Sequence, residues 1–115
     1  MSTLTVAKRL IELCKDGKFL QAQHELYDDK IISIETDGSR TAGAAYMNLK
    51  EKRFLSSVER FQNIEFSEPL IAGNYFTVVL KMELETKNSG YVFMEEICVY
   101  KVEGEKIIFE QFFRD

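Results

Sequence analysis

The feature that most constrains the fold is a long alternation of apolar and polar residues in the second half of the chain. Every second position of one stretch is apolar: Phe76, Val78, Leu80, Met82 and Leu84. Because successive side chains of a strand point to opposite faces, this pattern predicts a long strand over 75–86 with one buried face. Turns of the KNSG and EG types at 87–90 and 103–104 then predict an antiparallel meander.

The first half of the chain repeats its apolar residues at spacings of three and four, which is the period of a helix. This spacing predicts helices over 4–15 and 18–26, and a β-branched run predicts a strand at 31–34. A third helix is expected over about 42–55, with Thr41 as its N-cap. Helices followed by antiparallel strands indicate the α+β class, with three N-terminal helices covering the concave face of a curved sheet.

Length and charge restrict the function. A chain of 115 residues makes a single domain, spanning 1–115. The net charge of −4 and the absence of a Lys- or Arg-rich run argue against a nucleic-acid partner. No stretch is long and apolar enough for a membrane span, and the N-terminal segment does not resemble a secretory signal. We therefore expect a cytoplasmic domain with no membrane or nucleic-acid partner.

Metal-binding and cofactor-binding patterns are missing from the sequence. Cys14 and Cys98 are far apart, and His24 is the only histidine. This leaves too few zinc ligands, and no Gly-rich phosphate loop or nucleophile motif occurs. Two free, buried thiols in a reducing compartment are the simplest interpretation, and no metal or cofactor is expected.

The last two strands carry three glutamates among apolar residues: Glu95, Glu96 and Glu110. If Glu103–Gly104 is the two-residue loop of a hairpin, Glu96 lies opposite Gln111. One face of the two strands is then apolar apart from those two side chains: Val92, Met94, Glu96, Cys98, Tyr100, Phe109, Gln111 and Phe113. A register slip of one residue would instead bring Glu110 beside Glu96.

The opposite face mixes apolar and charged groups, and Glu95 and Glu110 are expected on it, near Lys101 or Arg114. A sheet that is apolar on both sides needs a second partner, so we expect a homodimer through this outer face.

Glu96 is the strongest candidate for a functional residue. A carboxyl in apolar surroundings is hydrogen-bonded, neutralised or open to a pocket, and such a group can serve as an acid or base or can bind a ligand. Gln111 is expected to form a polar wall or to be the structural partner of Glu96. Tyr27 and Tyr46 are candidates for the pocket mouth, although each could simply pack its ring on the core. His24 is expected at the surface or the edge of the core.

The pocket wall is expected to be apolar, from Met82, Met94, Cys98, Phe109 and Phe113. For these residues the alternative is an ordinary core position, which the sequence does not distinguish from a pocket wall.

Three stretches resemble SnoaL-like domains of the nuclear transport factor 2-like superfamily: RLIELCKDGKFLQAQHELYDDKIISIE, TAGAAYMNLK and MEEICVYKVEGEKIIFEQFF. The resemblance extends over about Val6 to Phe113, and its most specific part starts at Glu96. EGEK stands where relatives often have an acidic-Gly-Lys turn, which implies an extra residue in this hairpin. The resemblance implies a cone-shaped α+β barrel with an apolar pocket, and often a dimer.

The function implied by the resemblance is less specific. The superfamily includes cyclases, isomerases, epoxide hydrolases, dehydratases and members that only bind or assemble. Its cyclases typically use an Asp with a nearby His, a pair that this chain does not match residue by residue. Two hypotheses follow: a domain that binds a small lipophilic molecule, or a cofactor-free acid–base enzyme acting on a small hydrophobic carbonyl compound with Glu96 as proton shuttle.

Overall fold

The computed structural model describes residues 2–115, which form three helices and seven strands. The helices are α1 (Thr3–Lys15), α2 (Phe19–Leu26) and α3 (Ala44–Ser57). The strands are β1 (Tyr27–Ile34), β2 (Arg40–Ala42), β3 (Val58–Phe66), β4 (Leu70–Ala72), β5 (Tyr75–Thr86), β6 (Gly90–Glu103) and β7 (Lys106–Phe113). None of the helices within these residues is long and apolar enough to cross a membrane.

The strands form one mixed sheet in the order β2-β1-β7-β6-β5-β3, and β4 pairs with β5. The predicted α+β class, a curved sheet packed on three helices, is confirmed, although the described strands leave the sheet open at β2 and β3. The prediction of a purely antiparallel meander is wrong in one respect, because β1 pairs with β7 in parallel. This contact joins distant parts of the chain and places the end of α2 beside β7.

The core lies between the helices and the inner face of β5. All five alternating residues of that strand are buried, as predicted: Phe76, Val78, Leu80, Met82 and Leu84. Helix α1 contributes a stripe that includes Val6, Leu10 and Leu13. The N-cap of this helix is Ser2. Its Oγ accepts a hydrogen bond of 3.1 Å from the Thr5 amide, which satisfies one of the free donors of the first turn.

The start of α3 differs from the prediction. Residues 40–42 form the short strand β2, and the N-cap is Gly43 rather than Thr41. The Gly43 amide donates to the Ile31 carbonyl at 2.8 Å, which keeps the chain in the sheet up to this point. Gly43 has a φ of 97°, a left-handed conformation that glycine adopts without strain. Helix α3 therefore begins two residues later than expected.

The hairpin between β6 and β7 also corrects the predicted register. Its loop is Gly104–Glu105, with φ values of 56° and 67°, and Glu103 pairs with Lys106. Lys101 pairs with Phe109 while Val102 pairs with Ile107, so one extra residue, Ile108, forms a bulge.

The bulge exchanges the two faces of β7. Moving the loop by one residue alone would keep each side chain on its predicted face, but an inserted residue reverses the alternation. Gln111 consequently lies opposite Val99, and Glu110 lies opposite Tyr100 on the inner face. The predicted pairing of Glu96 with Gln111 and the predicted outward position of Glu110 are both wrong.

Candidate functional site

A cavity of about 270 Å³ lies between the three helices and the inner face of the sheet. Its apolar lining includes Phe19, Phe66, Leu80, Met82, Met94 and Phe112. The polar side chains of the wall are Gln23, Tyr27, Glu35, Lys50, Glu51, Glu96, Tyr100 and Glu110. The cavity therefore combines an apolar surface with four carboxyl groups.

Glu110 is the most buried of the four carboxyls, with 3% of its surface exposed. Tyr27 donates its hydroxyl to Oε1, and the Ser33 Oγ donates to Oε2 at 2.8 Å. Burial raises the pKa of Glu110 to about 7, although the two hydrogen bonds oppose that rise. Near neutral pH the carboxyl thus exists in both protonation states, and it can donate or accept a proton.

The parallel contact between β1 and β7 places Tyr27, Ser33 and Glu110 next to one another. Ser33 pairs with Glu110 and Tyr27 pairs with Ile107, with an irregularity in β1 between the two positions. Tyr27 directly follows α2, so the end of that helix sets the position of its ring. Burial and the neighbouring Glu110 raise the pKa of Tyr27 well above its ordinary value, which keeps its hydroxyl protonated as a donor.

Glu96 reaches the cavity from β6, with its side chain 10% exposed. Its Oε2 lies 3.8 Å from Arg114 Nη1, and its Oε1 lies 3.9 Å from Cys98 Sγ. Burial raises the pKa of Glu96, and Arg114 partly offsets this effect. Glu96 is therefore partly buried and is paired from the C-terminal end of the chain.

The remaining ionisable groups lie at the end of β1 and on α3. Lys50 Nζ donates to Glu35 and lies 3.3 Å from Thr41 Oγ1. Burial, together with the charge of Glu35, raises the pKa of Glu51 to about 7. No hydrogen bond joins the Glu51 carboxyl to any of residues 2–115.

The structure places some of the sequence-predicted site residues in the cavity wall and others elsewhere. Tyr27, Met82, Met94 and Glu96 line the cavity. Five do not lie among its lining residues: Tyr46, Cys98, Phe109, Gln111 and Phe113. Gln111 and Phe109 are displaced by the bulge, and Phe113 is 48% exposed beside Ile97 on the outer face.

Tyr46 and Cys98 are absent from the cavity wall for other reasons. Tyr46 is 50% exposed on α3, which turns it away from the cavity. Cys98 is fully buried, and burial raises the pKa of its thiol. His24 is exposed and borders a surface groove between α2 and α3 that shares Gln23 and Tyr27 with the cavity wall.

Sequence reasoning missed Ser33, Glu35, Lys50 and Glu51, and it placed Glu110 on the wrong face. A usable signal existed for Ser33, because it is the single polar residue in the apolar run Ile31–Ile34. Within residues 2–115, no three His, Cys, Asp or Glu side chains are grouped so that they could hold a metal ion.

The comparisons with known proteins agree on the fold. The family model described as a SnoaL-like domain matches residues 1–114. A structure from Mesorhizobium loti that bears the name SnoaL-like polyketide cyclase [carbohydrate phosphatase] is 25% identical, with a TM-score of 0.89, and the match covers 98% of this chain and 99% of that one. No curated protein matches this chain.

Two more distant structures show the same fold. A Catenulispora acidiphila protein with a ketosteroid isomerase-like fold, in complex with trimethylamine, is 14% identical with a TM-score of 0.76, over 93% of this chain and 83% of that one. An LEH-like epoxide hydrolase from M. tuberculosis is 12% identical with a TM-score of 0.78, over 98% and 82%. Because the family model spans nearly the whole sequence, this chain belongs to the SnoaL-like domain family.

Proposed function

We propose that this domain binds a small lipophilic molecule in the cavity, with the polar end of that molecule near the buried carboxyls. The cavity volume of about 270 Å³ exceeds the roughly 150 Å³ of an apolar cavity that accepts benzene. A ligand with one aromatic ring and a short polar chain would therefore fit. The trimethylamine complex of the Catenulispora acidiphila protein supports small-molecule binding by proteins of this fold.

The observation that carries the proposal is the position of Glu110 at the cavity wall. A carboxyl that is 3% exposed costs free energy to bury, and an apolar side chain would fill the same space at less cost. Apolar pockets with a few convergent polar groups and perturbed pKa values are typical of ligand sites. Glu110, Tyr27 and Glu96 supply such groups.

A second candidate function is cofactor-free acid–base catalysis, of the isomerase or cyclase kind, on a small hydrophobic carbonyl compound. The specific support is the contact between Tyr27 and Glu110, because a carboxyl with a pKa of about 7 suits proton transfer at neutral pH. In this hypothesis Glu110 or Glu96 moves the proton. Binding requires only the cavity, whereas catalysis requires an additional free donor to stabilise an enolate, so we favour binding.

Filling the cavity tests the proposal. We expect Met94→Trp to weaken binding of 2-phenylethanol, a neutral ring compound, at least about tenfold, because the larger side chain takes up the cavity volume. The matched control is Phe93→Trp on the same strand, where the side chain is 53% exposed. Isothermal titration calorimetry measures both dissociation constants. Equal effects of the two substitutions would contradict the proposal.

We also propose a homodimer through the outer sheet face. Several large apolar side chains are exposed there, including Tyr91, Phe93, Ile97 and Phe113. Ile97 and Phe113 pair directly across β6 and β7, so they form one continuous patch.

Introducing a charge into this patch should dissociate the dimer. We expect Ile97→Lys to halve the mass measured by light scattering at micromolar concentration, because a buried unpaired ammonium is costly. Leu4→Lys on α1, where the side chain is 40% exposed, is the control and should leave the mass unchanged. A monomeric unmodified protein would refute the dimer.

A further inference from the structure

Two side chains that line the cavity have hydrogen-bond acceptors that receive no hydrogen bond from residues 2–115. The side-chain oxygen of Gln23 is buried and has no partner among the described residues, although Gln23 lines the cavity. A buried acceptor without a donor costs about 1–3 kcal/mol, so such an atom indicates a missing partner. The neighbouring helix α3 adds Glu51, whose carboxyl receives no hydrogen bond from residues 2–115.

Two donors of the wall, the Tyr27 hydroxyl and the Lys50 ammonium, already have carboxylate partners. Tyr27 gives its hydroxyl proton to Glu110, as does Ser33 behind it. Among the described lining residues Lys50 is the only cationic side chain, and its ammonium is held by Glu35. An incoming molecule that carries only acceptors would therefore compete with Glu110 and Glu35 for these two donors.

Acidic side chains outnumber basic ones in the cavity wall. Four carboxyls surround the cavity, against the single ammonium of Lys50, and Arg114 approaches Glu96 from outside the lining. The other ionisable groups of the wall, the thiol of Cys14 and the hydroxyl of Tyr100, are neutral because burial raises their pKa. Burial is the main cause of the raised pKa of Glu51, Glu96 and Glu110, and the charge of Glu35 adds to the rise in each of them.

We propose that the ligand of this cavity is a small amine, bound as its cation, with a ring or short chain as its apolar part. This inference rests on the proposed function, and it specifies the class of ligand. The ammonium would donate to the carboxyls of the wall, with Glu51 as its main ionic partner. The apolar part would lie against Phe66, Leu80 and Met82.

Each feature of the cavity then has a counterpart in the ligand. An ammonium supplies up to three donors, whereas an alcohol supplies one and a carboxylate supplies none. A charge-assisted hydrogen bond is about twice as strong as a neutral one, particularly in a poorly solvated cavity. A cation also lowers the pKa of the nearby carboxyls, so its binding should release protons.

Three probes of similar size and different charge test the inference at pH 7: 2-phenylethylamine, 2-phenylethanol and phenylacetate. We expect the amine to bind at least about tenfold more tightly than the alcohol, and phenylacetate to bind more weakly than both. Calorimetry in two buffers of different ionisation enthalpy should show proton release with the amine only. The two carboxyls with pKa values of about 7 are about half protonated at this pH, so the release should approach one proton.

Glu51→Gln identifies the ionic partner. We expect it to weaken amine binding about tenfold while alcohol binding stays within about twofold, since only the amine loses a charged partner. Glu59→Gln removes the same charge from an exposed position of β3 and should change neither affinity. Alcohol binding as tight as that of the amine, or equal losses of both in Glu51→Gln, would overturn the amine inference and leave small-molecule binding intact. Failure of all three probes to bind would overturn both.

Discussion

Raising the pH from about 4.5 to about 7 is expected to lower the free energy of unfolding by about 3 kcal/mol through Glu110 alone. The pKa of this carboxyl is about 7 in the folded protein, against 4.5 as its ordinary value. Within this window the folded state binds more protons at Glu110 than the unfolded state does, so the stability that Glu110 contributes is largest below about 4.5 and falls as the pH approaches 7. Glu51 acts in the same direction, with a folded pKa of about 7.

Urea denaturation at pH 5 and pH 7.5 measures this difference. Glu110→Gln should remove about half of the slope, because the amide keeps the shape of the side chain and does not titrate, whereas Glu51 still titrates with a pKa of about 7. Tyr27 and Ser33 can still form hydrogen bonds with it, since each hydroxyl can donate or accept. The control is Glu95→Gln, an exposed neighbour of Glu96, which should keep the slope. An undiminished slope in Glu110→Gln would mean that Glu110 does not contribute to the pH dependence.

Phe76→Ala is expected to lower the free energy of unfolding by about 3–5 kcal/mol, a large part of the stability of a domain of this size. The side chain is 1% exposed at the inner face of β5, and its ring stacks on Tyr100 with centroids 4.7 Å apart. Removing the ring leaves a cavity and takes away that aromatic contact.

The neighbouring position provides the control for this substitution. Tyr75 is 45% exposed and its ring lies 5.5 Å from the Lys101 ammonium, so Tyr75→Ala should cost only about 0.5–1 kcal/mol. Chemical denaturation of both variants at one pH gives the comparison. Similar losses for Phe76→Ala and Tyr75→Ala would show that the inner face of β5 is less tightly packed than the structure indicates.

The sequence predicted most of the elements, because each has a local cause. The alternation in β5 identifies a strand with one buried face, and the apolar spacing of α1 identifies the helix that covers it. The parallel contact between β1 and β7 has no local signal, since it joins residues that are far apart in the chain. The start of α3 was predicted too early because the sheet, through the amide of Gly43, holds two residues, 42 and 43, that were expected to join the helix.

The candidate site was harder to predict than the fold, and the reason lies in one short run of β7. Ile107, Ile108 and Phe109 are all apolar, so the pattern does not reveal which of them is the extra residue of the bulge. The sequence therefore identified Glu96 as a carboxyl that faces the cavity and assigned Glu110 to the outer surface. Glu51 gave no signal because a glutamate on a helix is usually solvated.

The bulge at Ile108 has a consequence for how this family can diverge. Without it, the same residues in the same order would turn Gln111 toward the helices and Glu110 toward the outer surface. Gain or loss of one residue in β7 would thus replace an ionisable group by a neutral amide with no point substitution. A gap-free alignment of two relatives that differ in this bulge would equate positions on opposite faces of the sheet. Homologous roles in this strand must therefore be assigned from strand pairing rather than from residue count.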